Sequence, residues 1–228
     1  MDLKKNRKRT VLVILTLLLC TMGTAVSYAA KVTVKTYRSL YQPIVKNGFY
    51  YLGKTGNKAE KGSVLRHVSF FALYDVDRDG IKELLCEPSD ETSYGLRMID
   101  VFTISGKKAA YCGQISWNDG YPHKLGCFYY NKKYKALYTF DKSKIYGGGV
   151  LGQEKCLYHL SGKKLVSCRF WKKWGISSEY SYYTGTNSAK AKQVNAKKAG
   201  KYVRSYFKGA KKVSMMKNNA ANIRKTFG

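Results

Sequence analysis

An α+β fold, mainly antiparallel β, is what this 228-residue chain predicts: a meander of hairpins with a short N-terminal helix and one or two C-terminal helices. Three observations carry the prediction. Hydrophobicity alternates with period two from Val64 onward, short Ser-Gly or Asn-Lys turns punctuate it, and helical spacing returns only near the two ends. With 44% hydrophobic and 14% aromatic residues the chain can build a core despite a formal charge of +28, which excludes a disordered polycation.

Residues 1–29 read as a signal peptide. Lys4, Lys5, Arg7, Lys8 and Arg9 form a positive region, "TVLVILTLLLCTMGTAV" an apolar one, and Ser27 and Ala29 offer the small residues of a cleavage site. The apolar run is short for a membrane-spanning helix, which needs about 20 residues; a retained anchor is the alternative. Cys20 follows "LLL", and the residue before a lipidated cysteine should be small, so a lipoprotein is disfavoured. Cleavage would remove five basic residues and Asp2, leaving +24 of the +28 on one domain, residues 30–228, with no transmembrane helix.

Within that domain, residues 30–60 form a helical lead-in. "YRSLYQPIVKNGFYYLG" places Leu40, Ile44 and a second aromatic cluster at helical spacing, with Pro43 tolerable only in a first turn or at a break. Residues 64–184 form the β-meander. "SVLRHVSFFALYDV" and "IKELLCEP" should be neighbouring strands joined by an acidic loop. "VFTISGKKAAYC" (101–112) and "LYHLSGKKLVSC" (157–168) align at an offset of 56, each reading as strand, Ser-Gly turn, strand. "CFYYNKKYKALYTF" is a hairpin turning near Asn131 and Lys132, and "SSEYSYYTG" extends the sheet. The glycines of "YGGGVLG" (146–152) lack the Lys-Ser/Thr sequel of a phosphate loop and read as a connection. Residues 190–228 form a basic helical C-terminus. "NAKKAGKYVRSYF" has Asn195 as N-cap and a stripe of Ala199, Tyr202, Val203 and Tyr206; after "GAKKVSMM", "NNAANIRKTF" reads as a second helix. From Tyr180 to Gly228 there are twelve Lys or Arg and no Asp or Glu.

Five cysteines follow the signal segment: Cys86, Cys112, Cys127, Cys156 and Cys168. An odd number cannot all pair internally; a Cys156–Cys168 bridge and five buried thiols are the two readings, the second favoured because free cysteine packs well in cores. No His/Cys spacing suggests zinc. His67, His123 and His159 are scattered, and no G-x-S-x-G or HExxH is present, though a Cys-His pair could still meet in the fold.

The acidic residues are unevenly placed. Of thirteen outside the signal segment, seven lie between Asp75 and Glu91. "DVDRDGIKE" has the spacing D-x-D-x-D-G-x-x-E, in which a tight loop turns alternate side chains to a common centre. Ca²⁺ takes six to eight oxygen ligands; Asp75, Asp77 and Asp79, the Ile81 carbonyl and Glu83 are the candidates, with Gly80 permitting the bend. The alternative is an acidic turn whose Asp side chains cap local amides.

The loop resembles the calcium loops of integrin-type propeller blades (FG-GAP and VCBS repeats) and of EF-hands, and "FFALYDVDRDGIKELL" is similar to a pattern in small exported proteins of Gram-positive bacteria. The likeness is loose over residues 65–170 and of motif grade only over 70–86. It implies export and calcium. An EF-hand would need its bidentate Glu at loop position twelve, which is Cys86 here, with Glu87 one residue late; a static loop closed by Glu83 is expected instead.

Together these readings predict a secreted or cell-surface, calcium-stabilised β-rich binding or structural module, monomeric, associating with anionic cell-wall polymers or polysaccharides through its basic surface. A small secreted hydrolase acting on glycan or cell wall is the alternative. Sequence-specific nucleic-acid binding is not expected, for no reading head is visible.

Overall fold

The computed structural model describes residues 32–47, 49–52, 64–88, 97–117, 125–145, 150–176 and 179–228. The chain divides into two compact units, Met1–Val32 and Thr33–Gly228, and among the described residues the second holds the helices and sheets. The expected signal segment and the 146–149 glycines lie outside the described residues.

Helix α1 (Val34–Lys46) starts where Thr33 accepts a hydrogen bond from the Thr36 amide. Its buried residues are Tyr37, Tyr41, Ile44 and Val45, a stripe that shares Ile44 with the expected one and leaves Leu40 only half-buried. Pro43 sits in the last turn, and the second aromatic cluster is not helical. Instead β1 (Phe49–Leu52) pairs with β2 (Val64–Tyr74), where aromatic residues suit a strand.

Two antiparallel sheets follow. The first runs β1, β2, β3 (Glu83–Pro88), β4 (Arg97–Ser105) and β5 (Lys108–Trp117) in spatial order, so each hairpin predicted in this stretch is formed. The second holds β6 (Cys127–Asn131), β7 (Ala136–Ile145), β8 (Val150–Ser161), β9 (Lys164–Ile176), β10 (Glu179–Gly185) and β11 (Lys192–Val194), again in meander order. The C-terminal residues close both sheets. β12 (Ala210–Ser214) lies beside β6, and β13 (Met216–Lys217) pairs with β2. "GAKKVSMM" is therefore a pair of strands bridging the sheets, a role its lysines conceal because both strands lie at edges.

The 56-residue repeat is structural. In β4–β5 the register shifts between Val101 and Phe102, leaving Cys112 as the extra residue of a bulge; in β8–β9 it shifts between Leu157 and Tyr158, leaving Cys168. These are equivalent positions at the offset of 56, and the turns match too, with Gly106 at φ 60° and Gly162 at φ 59°. Tyr74 at the end of β2 and Tyr130 in β6 meet edge to face, their ring centroids 4.8 Å apart.

Period-two alternation sorts the side chains into layers. Ala72, Leu85 and Val101 face the second sheet, packing with Phe128, Tyr130, Leu137 and Leu160. On the opposite face Phe71 stacks on Phe227 of helix α3 (Ala220–Phe227), and the Tyr41 hydroxyl donates to the Phe102 carbonyl. Helix α2 (Ala196–Tyr206), capped by Asn195, covers the outer face of the second sheet, where Ala199, Tyr202, Val203 and Tyr206 pack with Leu157 and Trp171. The order of layers is helices, sheet, sheet, helix. Among the described residues no helix is long and apolar enough to cross a membrane.

Candidate metal centre

The acidic loop spans the β2–β3 connection and is anchored by the more deeply buried of its two apolar residues, Val76 and Ile81. Flanked by the half-buried Asp75 and Asp77, Val76 is fully buried between the sheets. Its amide donates to Glu83 Oε2 at 2.8 Å, and its carbonyl accepts from the Tyr130 hydroxyl at 2.8 Å. The bend uses left-handed backbone at Arg78 (φ 62°) and Gly80 (φ 93°); glycine takes that conformation without steric cost. The Lys82 amide donates to the Tyr37 hydroxyl, tying the loop to α1.

Carboxylates of Asp75, Asp77 and Glu83 converge, each offering an oxygen within 4.8 Å of the others. Asp79 stands outside this group, exposed, with Oδ1 accepting from the Ile81 amide at 2.7 Å. Ile81 is half-buried. Asp75 Oδ2 accepts from the Gly80 amide and Asp77 Oδ1 from the Asp79 amide, both at 3.2 Å, the local capping expected of an acidic turn. Capping does not account for everything, because Asp75 Oδ1 is buried with no hydrogen-bond partner.

Glu83 is the deepest member, 1% exposed, and its Oε1 accepts from Thr103 Oγ1 of β4 at 3.0 Å. Burial pushes its carboxyl up to about 8, with Asp77 and Asp79 adding in the same direction, against the lowering effect of the Val76 and Thr103 donors. Asp77 is also raised, first by burial and then by Asp79. The site thus concentrates negative charge where solvation is poor. A cation bound to hard oxygen donors fits this set: three carboxylates, one with an unsatisfied buried oxygen, and no nitrogen or sulfur among them.

Glu87, one place late for an EF-hand, has a different task. Arg97 Nε donates to its Oε1 at 2.8 Å and Arg97 Nη2 lies 2.5 Å from the same oxygen, both side chains being 1% exposed. Nη2 also donates to the Cys127 carbonyl of β6, and the guanidinium lies 4.6 Å from the Trp117 ring centroid. This buried pair joins the sheets. Neither Thr103 nor Arg97 was identifiable as a partner in sequence, since each lies in another strand.

Cys86, Cys112, Cys156 and Cys168 are thiols, so the alternative Cys156–Cys168 bridge is not formed. Burial pushes the Cys112 thiol up to about 12 and also raises Cys86, Cys156 and Cys168, which keeps them protonated and poorly nucleophilic. His67 is exposed on β2, His159 is half-buried on β8, and His123 lies outside the described residues. Comparison of the chain with protein-family models, with curated proteins and with solved structures finds no match.

Proposed function

We propose that this protein is an exported binding or structural module whose acidic loop is held by Ca²⁺ and whose basic surface associates with anionic polymers outside the cell. Two observations carry the calcium half together: Asp75, Asp77 and Glu83 converge, and Asp75 Oδ1 is buried without a hydrogen-bond partner. Those three side chains would hold the ion. Bound there, it supplies charge neutralisation, and the chain's own Val76, Tyr37 and Tyr130 contacts keep the loop in shape around it.

The polymer half rests on charge. Lys197, Lys198, Lys201 and Arg204 on α2 and Lys208, Lys211 and Lys212 beyond it are all exposed, in a C-terminal stretch without an acidic residue. Such a surface steers polyanions by long-range attraction that salt screens. Teichoic acid is the fitting probe, and its binding should weaken steeply as salt rises.

A thermal melt tests the calcium half. Extracellular sites of this type bind with dissociation constants of order 10⁻⁴ to 10⁻³ M, and a ligand at ten times its dissociation constant stabilises the folded state by about 1.4 kcal/mol. For a domain of this size that is a rise of roughly 3–6 °C in millimolar Ca²⁺ over EDTA. Asp77→Ala should abolish the rise. An equal rise in the variant, or none in the parent, overturns the reading.

A further inference from the structure

Part of the second sheet carries a groove on the face opposite α2. Its volume is about 420 Å³, within the ~300–1,000 Å³ of small-molecule sites. Phe170, Lys172 and Trp174 of β9 alternate into it, Glu154 enters from β8 and Tyr183 from β10, and Ser188 belongs to the loop that closes one side. The strand pairings Glu154↔Lys172 and Lys172↔Tyr183 put these side chains in one row across three strands. The site lies on a different sheet from the acidic loop and owes nothing to it.

The groove is preformed. The loop from Thr186 to Ala191 is held by the Thr186 carbonyl accepting from the Ser167 hydroxyl at 2.7 Å, the Lys190 amide donating to Asn187 Oδ1 at 2.8 Å, and the Ala191 amide donating to the Ser188 carbonyl. Beside it the Tyr202 hydroxyl of α2 donates to the Gly185 carbonyl at 2.6 Å. Lys172 Nζ lies 2.5 Å from Glu154 Oε1 and 5.0 Å from the Trp174 ring centroid, so one ammonium orients both the carboxylate and the indole. Trp174 nevertheless stays 37% exposed, an aromatic surface for which the described residues supply no cover.

The lining selects a chemistry. Glu154 and Lys172 already neutralise each other, so an anion must compete with Glu154 for the ammonium and a cation with Lys172 for the carboxylate. A neutral polyhydroxylated ring avoids both conflicts, because a hydroxyl can donate to Glu154 while another accepts from Lys172. Its flat C–H face matches the aromatic walls of Trp174, Tyr183 and Phe170. From this we infer that the β8–β9–β10 groove is a binding site for a neutral saccharide, with Trp174 as its platform and the Glu154–Lys172 pair as its polar contacts. The ion pair is solvent-accessible and therefore weak, so its two side chains can turn toward a ligand at little cost.

The test is isothermal titration of the full-length protein with three neutral tetrasaccharides, of N-acetylglucosamine, β-1,4-glucose and α-1,4-glucose, beside an oligogalacturonate as the anionic control. Binding of at least one neutral probe below about 1 mM is expected, little changed between low and high salt. Trp174→Ala should weaken it at least about tenfold, and Trp174→Phe should recover most of the loss. Ser188→Trp, at an exposed position, should block the groove while leaving the melting temperature in place, which separates occlusion from misfolding. No neutral probe bound at about ten times that concentration, or binding indifferent to both Trp174→Ala and Ser188→Trp, overturns the inference. So does preference for the anionic control with a steep salt dependence; that outcome would leave the basic-surface reading standing, just as loss of the calcium response would leave the groove untouched.

Discussion

Replacing Glu83 by Gln should stabilise the protein without calcium and destabilise it with calcium. Glu83 is 1% exposed and its carboxyl is pushed up to about 8, from about 4.5 in an open chain. The sign follows from proton counting: between these values the folded state holds a proton that the unfolded state has released, so stability is present below about pH 4.5 and falls as pH rises toward 8. The slope is about 1.4 kcal/mol per pH unit, so by pH 7 the cost approaches about 3 kcal/mol. Gln imitates the protonated acid, keeping an acceptor for the Val76 amide or the Thr103 hydroxyl, and has nothing to titrate. Urea melts in EDTA should therefore show the two proteins alike near pH 5 and the variant ahead near pH 7. In millimolar Ca²⁺ the order at pH 7 should reverse, because the ion takes the place of the proton in the parent and loses a ligand in the variant. Parallel pH curves in EDTA would refute the electrostatic reasoning; an unreversed order in calcium would refute the assignment of Glu83 as a ligand.

Two further changes probe the scaffold that holds these sites. Arg97→Met leaves the Glu87 carboxylate buried without its guanidinium, which should cost about 3–5 kcal/mol in a urea melt, and the Glu87→Gln/Arg97→Met double variant should be less damaged than that single change. Asn195→Ala removes the acceptor of the Lys198 amide at the start of α2 and should cost about 1 kcal/mol, read from the same melts.

Local patterns were legible because their causes are local. Period two, Ser-Gly turns and Asn caps depend on neighbouring residues, so β2 to β10, the acidic bend, α2 and α3 could be read along the chain. Even the offset-56 repeat was visible, since the same turn and the same bulge demand the same residues twice. Where a pattern serves a remote partner, it misleads. Phe49–Leu52 continues an aromatic spacing that suits a helix, but the open edge of β2 draws it into the sheet, and "GAKKVSMM", within the stretch expected to be a basic helical C-terminus, forms strands because two sheets offer it edges.

By itself, then, the sequence determined an antiparallel α+β chain of strong positive charge with a concentrated acidic bend, because alternation, charge and turn chemistry are properties of adjacent residues. Tertiary structure alone decided that one meander divides into two facing sheets, that Asp79 stands apart from the group of Asp75, Asp77 and Glu83, that Glu87 belongs to Arg97, and that Glu154, Lys172 and Trp174 line one groove. Burial and cross-strand register set each of these, and both arise only when residues far apart in the chain pack together.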